Sequence, residues 1–188
     1  MSHTPEPLLL VSNADTVDTL SPLVTARPIR PDDADRLRRL YPRLSTDTLY
    51  RRFFTVVGAP NDRTLRYLAE VDGHRREAVV ALVNDDIIGV ARFDRDADRA
   101  ELAEAAVLVE DAWQGAGVGS FLMERLAERA VEEGITAFTA TALAANQGPI
   151  RLARHLTPQV EVSFDGTEVE LLIPLSAPAV RSRSIQAA

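Results

Sequence analysis

At 188 residues, with 46% hydrophobic and 26% charged side chains, the chain has the balance of one globular domain able to bury a sizeable core. Its 21 basic residues are all Arg and are outnumbered by 28 acids, and the formal charge of −7 argues against nucleic acid or an anionic membrane as the main partner. The absence of Cys excludes a disulfide framework, a thiolate nucleophile and a cysteine zinc site.

His3, His74 and His155 show no metal-ligand spacing, so no metal is expected. No apolar run approaches the roughly 18 residues that span a bilayer. Pro7-Leu8-Leu9-Leu10-Val11 is too short, and lacks the basic start, for a signal peptide, which makes the cytoplasm the expected compartment.

Residues 1–22 are polar, carry Pro5, Pro7 and Pro22, and read as a flexible tail or loosely docked arm. A short strand over Val24–Arg30 leads into a helix opened by Pro31-Asp32-Asp33 and striped by Ala34, Leu37, Leu40 and Tyr41. Ser45 is a good N-cap for a second helix running to Phe54, with Leu49, Phe53 and Phe54 as its core face. A third short helix spans Asp62–Glu70. Apolar runs Glu77–Val83 and Ile87–Phe93 around Asn84-Asp85-Asp86 predict a β-hairpin. The charged stretch Arg92–Arg99 reads as an exposed turn into the next strand, Ala103–Val109. Alternation there puts Glu104, Ala106 and Leu108 on one face and Ala105, Val107 and Val109 on the other, while Glu101, Glu110 and Asp111 read as surface-turn residues.

Next comes Trp113-Gln114-Gly115-Ala116-Gly117-Val118-Gly119-Ser120, followed by a helix in which Val118, Phe121, Leu122, Leu126 and Ala130 recur at spacings of three and four, closed by Gly134. Glycines at 115, 117 and 119 remove side chains where the backbone turns into the helix, so that successive N–H groups and the positive end of the helix dipole converge on an anion. Phosphate is the natural guest. A P-loop needs a Lys, which the chain lacks altogether, and a dinucleotide loop needs its third Gly one position later and an acid about 20 residues on. A further strand, Ile135–Ala142, precedes Asn146, which suits a helix N-cap, and Val160–Phe164 and Val169–Leu175 flank Asp165-Gly166 as a last hairpin. From Ser176 the chain reads as disordered, and no internal repeat or second domain is visible.

Gln114, Gly117 and Gly119, placed after a strand ending V-x-V and before an amphipathic helix, resemble the Q/R-x-x-G-x-G/A phosphate loop of the GNAT superfamily of N-acetyltransferases. Leu44–Phe54 is similar to the second helix of bacterial protein acetyltransferases of the Pat type, which modify lysines of acyl-CoA synthetases. The resemblance covers about Val24–Leu175 and implies one domain over 23–175, with tails at 1–22 and 176–188. The implied fold is α/β of the α+β kind: a mixed, mostly antiparallel sheet of six to seven strands, splayed between the fourth and fifth, with four to five helices.

On this likeness Val107, Leu108 and Val109, the loop Gln114, Gly115, Ala116, Gly117, Val118, Gly119 and Ser120, and Asn146 hold acetyl-CoA. Glu104 matches the family's general base, with Glu101 as competitor and a structural role as the alternative. Tyr50 and Arg51 either line the acceptor groove or are a core aromatic and a solvated charge.

Acetyl transfer to a primary amine is the implied activity, the acceptor being a protein lysine, such as one on an acyl-CoA synthetase, with a backbone N–H near Leu108 for the oxyanion; a homodimer is compatible with this. An all-Arg composition then has two readings, a G+C-rich genome or a lysine acylator that offers itself no target. The chain departs from the family at Ala153, where many members carry a Tyr general acid, and at His155-Leu156-Thr157-Pro158. Two alternatives stay open, a small-molecule amine acetyltransferase and, because of Ala153, an acyl-CoA-binding regulatory domain without turnover.

Overall fold

The computed structural model describes residues 18–21, 24–55 and 58–176. Its strands are β1 (Asp18–Ser21), β2 (Val24–Pro28), β3 (Arg76–Val83), β4 (Asp86–Arg95), β5 (Leu102–Val109), β6 (Ala137–Leu143), β7 (Glu161–Asp165) and β8 (Glu168–Pro174). The helices are α1 (Ala34–Leu40), α2 (Thr46–Phe53), α3 (Asp62–Ala69), α4 (Val118–Glu132) and α5 (Gln147–Leu156). All eight strands join one sheet in the order β1-β2-β3-β4-β5-β6-β8-β7. Every neighbouring pair is antiparallel except β5 with β6.

The strand beyond the expected six or seven is β1, which pairs Asp18 with Ala26 and Thr19 with Thr25, inside the stretch read as a tail. Four mostly polar residues at a sheet edge carry no alternation by which to detect them. Of the tails expected over 1–22 and 176–188, residues 1–17, 22 and 177–188 lie outside the described residues.

The β3–β4 hairpin forms because Asn84 and Asp85 adopt positive φ, 48° and 72°, the pair of left-handed residues that a two-residue turn between twisted strands requires. The exposed turn expected over Arg92–Arg99 starts later. Strand β4 runs on to Arg95, Arg92 pairs with Ala78 and Ala106, and Phe93 is fully buried. Only from Asp96 does the chain turn, that carboxylate accepting the N–H groups of Asp98 and Arg99. Arg92 is tolerated in a central strand because it donates to the Leu68 carbonyl at 2.9 Å, beneath α3.

Alternation along β5 separates two cores. Ala103 and Ala105 are buried, with Val107 and Val109 packed beside them, in the layer that α4 fills with Val118, Phe121, Leu122, Met123, Leu126 and Ala130. Leu108 faces the other layer, where Leu37, Leu40, Tyr41 and Leu65 cover Val80, Ile87 and Val90. Helix α2 departs from expectation. None of its residues is fully buried, Leu49 and Phe53 are half-buried, and Phe54 already leaves the helix at φ 58°. Something other than core packing holds it in place.

Candidate active site

Strands β5 and β6 pair in parallel only from Leu102↔Ala137 to Glu104↔Thr139. Both continue, to Val109 and Leu143, without pairing, and the sheet is splayed there. The gap belongs to a groove of about 570 Å³ floored by Val107, Leu108 and Val109 on one side and Ala140, Thr141 and Ala142 on the other. Glu104, the last paired residue, is exposed and borders it; Glu101 does not.

The main chain of β5 is unevenly used. Glu110 N–H bonds to the Ile88 carbonyl at 2.8 Å, and the strict alternation of an antiparallel ladder then turns the even-numbered residues of β5 toward β4. The odd-numbered residues turn toward β6, as the bond from the Gln114 side chain to the Val109 carbonyl at 3.0 Å confirms. Past the stretch paired with β6 the donors offered to the gap are therefore those of Val107 and Val109, not that of Leu108; Val107 lies deeper along it.

At the end of the groove Gly115 and Gly117 take φ of 75° and 85°, a region that any side chain would strain. Helix α4 starts directly after them, and its first internal bond joins Phe121 N–H to the Gly117 carbonyl at 3.0 Å. The amides of residues 118–120 come ahead of that bond, as at any helix start, where the dipole adds to their pull on an anion. Gly119 has ordinary φ, and a Cβ there would meet Val109 at an unstrained 3.8 Å, so it is not required for the turn.

Two of the expected cofactor residues contribute no side chain. That of Val118 is 1% exposed in the core, because a helix points one face inward, and Ala116 projects outside the groove. Gln114, Gly115, Gly117, Gly119 and Ser120 do border the groove, as does Asn146, whose Oδ1 caps α5 by accepting Gly148 N–H at 3.2 Å.

Of the two α2 candidates, Arg51 borders the groove and pairs with Asp47 at 2.8 Å. Tyr50 lies about 100° round the helix from it, 42% exposed and outside the groove, so neither of its two readings is met.

What holds α2 there is Asp111, which is no free surface-turn residue. Its carboxylate accepts from Ser45 N–H (2.9 Å), Ser45 Oγ (2.6 Å) and Thr48 Oγ1 (2.9 Å), and the Gln114 amide donates to the same Thr48 oxygen at 3.0 Å. Glu110 likewise accepts from Arg43 at 2.9 Å. This clasp ties α2 to the Gly-rich turn, and only Ser45 was visible in advance, as a cap. Partial burial opposes ionisation of Asp111, but the Ser45 and Thr48 donors outweigh it and hold the carboxyl below the usual range.

Asp111→Ala should cost about 1–2 kcal/mol, the low end for a charged acceptor because the clasp is open to solvent. A carboxyl whose folded pKa is depressed stabilises above its unfolded value, near 4, and that contribution fades as pH falls through the folded value. Denaturant melts of both proteins should thus differ at pH 7 and converge in acid.

Ala153 is 2% exposed in the groove wall, so no phenol stands there. His155, also on the groove, is hydrogen-bonded to Glu124 at 2.9 Å. Among the described residues no cluster of three or more His, Asp or Glu could hold a metal, and no helix is long and apolar enough to cross a membrane.

Residues 43–156 match the acetyltransferase (GNAT) family. Acetyltransferase Pat of Mycolicibacterium smegmatis is 38% identical over 132 residues, 69% of this chain and 39% of that protein. Acetyltransferase PA5475 of Pseudomonas aeruginosa is 30% identical over 128 residues, 66% of this chain and 68% of its own. The chain thus spans well under half of the first of these relatives. Among solved structures, the GNAT domain of S. lividans PAT superposes with a TM-score of 0.74 at 33% identity, covering 81% of this chain and 90% of that one.

Proposed function

This chain belongs to the GNAT acetyltransferase family, and from that premise we propose that it is an acetyl-CoA-dependent N-acetyltransferase acting on a primary amine, the side chain of a protein lysine. The observation that carries the proposal is that one groove joins the strand gap opening at Glu104 to the free amides that start α4. Acetyl-CoA fits the donor set: an anion-seeking turn for its diphosphate, then a narrow slot between strands for its pantetheine arm. Amides 118–120 hold the diphosphate, and Val107, Val109 and Asn146 border the arm. When bound, acetyl-CoA supplies an activated thioester. Val107 N–H, facing the gap, is placed to polarise an acyl oxygen there, a role commonly worth 10²–10³ in rate.

Glu104 takes the proton of the incoming ammonium. A lysine amine, pKa near 10.4, is almost wholly protonated at pH 7, so a base beside the gap is required. With Ala153 in place of a phenol, solvent returns the proton to the leaving sulfur, whose pKa near 8.5 makes it a tolerable leaving group unaided. The lysine reading rests on the Leu44–Phe54 resemblance to Pat-type enzymes and on the Pat relatives; an acyl-CoA synthetase is the acceptor the resemblance suggests. Ala153 favours a second reading, an acyl-CoA-binding domain without turnover.

Calorimetric titration with acetyl-CoA should give a saturable heat, and free CoA should appear only when a lysine-bearing protein is added. Gly117→Ala, forced to φ 85°, should weaken that binding about five- to thirtyfold, matching the 1–2 kcal/mol cost of a left-handed side-chain residue. Heat without CoA release across proteins and amines would establish the second reading.

A further inference from the structure

On the helical side of β4 and β5 lies a second cavity of about 300 Å³, walled by α1, α2 and α3. It meets the groove at Ala106, Val107, Leu108 and Arg52, which border both. Its walls are mostly apolar, from Leu37, Leu40, Tyr41, Phe53, Leu68 and Val90, with the Thr64 hydroxyl on one side and, as its charged groups, the half-buried guanidiniums of Arg52 and Arg92.

Among the described residues neither guanidinium forms an ion pair with a carboxylate. Arg92 spends one N–H on the Leu68 carbonyl, Arg52 lies over the Phe53 ring at 5.0 Å, and Asp94, the acid two residues further along β4, is ion-paired with Arg76 at 3.3 Å. Asp94 and Glu104 act on the pair only through space. Desolvated Arg side chains are ordinarily paired, so two unpaired ones at the walls of an apolar cavity call for an anion.

We propose that this cavity receives the acyl chain of a CoA thioester that ends in a carboxylate, with Arg92 and Arg52 as its counter-ions. The inference rests on the coenzyme reading above and names a second donor class for the same site. The cavity begins at the β5 residues against which the thioester lies, and its volume is that of about ten waters, far beyond a methyl group. The acceptor has its own approach: Glu104 borders the groove and not the cavity, and an ammonium would be repelled by two unneutralised guanidiniums. In the transfer, the amine nitrogen bonds the acyl carbon as the C–S bond breaks. The electron pair leaves with sulfur, which solvent protonates; the ammonium's first proton has passed to Glu104, the second leaves the nitrogen to solvent as the amide forms, and the distal carboxylate stays ion-paired and takes no part in bond making.

The test titrates the whole chain with succinyl-CoA, with butyryl-CoA, its uncharged counterpart of equal chain length, and with free CoA, by calorimetry and then by kcat/KM. Succinyl-CoA should bind and react about tenfold or more better than butyryl-CoA, as expected of charge-assisted hydrogen bonds, and Arg92→Gln should reduce that ratio about tenfold. Equal or better use of butyryl-CoA by the wild type overturns the proposal whether or not the variant folds. So does a carboxylate preference that appears only among acceptors. No heat with free CoA overturns the coenzyme reading and this proposal together, whereas heat with CoA and no discrimination overturns this proposal alone.

Discussion

Glu104→Gln is expected to lower kcat for amine acetylation about 10²–10⁴-fold while leaving calorimetric acetyl-CoA binding unchanged. The substitution keeps size and shape at an exposed position, so folding is not at issue. It removes the one carboxylate that, among the described residues, borders the groove at the mouth of the β5–β6 gap. At pH 7 only about one lysine amine in a few thousand is neutral, and without a base the enzyme must wait for that fraction. The variant's kcat/KM should therefore climb tenfold per pH unit toward the amine's own pKa, where the deficit against wild type shrinks. A variant that keeps both the wild-type rate at pH 7 and its pH profile would remove Glu104 from the chemistry and return it to the structural role that its place in the strand also allows.

Much of the site could be read from the chain because it is local. Gln114 to Ser120 form a turn whose glycines, amides and helix are contiguous, and the stripe Val118, Phe121, Leu122, Leu126 and Ala130 is buried as its spacing requires. The family pattern also placed the splay, which the short β5–β6 register shows.

What stayed hidden depends on partners distant in sequence. Asp111 looked like a solvated turn acid because its three donors lie more than sixty residues upstream. Arg92 looked like part of a charged loop because nothing within β4 announces that α3 will cover it and lend it a carbonyl. Periodicity reports which face is apolar, and it cannot report that a cation on that face has found a carbonyl, or that two cations there have no carboxylate partner. Tyr50 shows the converse error. A motif brought the right helix to the groove, but the 100° step between successive residues gives the groove to Arg51 and solvent to Tyr50.

Asp33→Ala should cost about 3–5 kcal/mol in denaturant unfolding, the range for stranding one partner of a buried ion pair. Asp33 is fully buried and accepts a two-pronged bond from Arg27 at 2.7 and 2.8 Å, the Arg30 N–H at 2.8 Å and Arg36 at 3.3 Å. Arg27 is itself only 11% exposed, so the variant leaves its charge buried with the Pro28 carbonyl as an acceptor but without its counter-ion. Replacing both members with apolar residues, Arg27→Met with Asp33→Leu, should recover much of the loss, since an uncompensated charge and not a missing attraction dominates it.

Burial opposes ionisation of Asp33, yet Arg27, the Arg30 amide and Arg36 together hold its carboxyl below the usual value. Its stabilisation is whole above the unfolded carboxylate pKa near 4 and is lost as pH falls through the lower folded value, so wild type and Asp33→Ala should converge in acid. The pair joins β2 to the start of α1, whose Leu37 and Leu40 wall the cavity beside the groove. A variant that still binds acetyl-CoA but loses its preference between longer acyl chains would show that this buried contact sets the shape of the cavity as well as the stability of the fold.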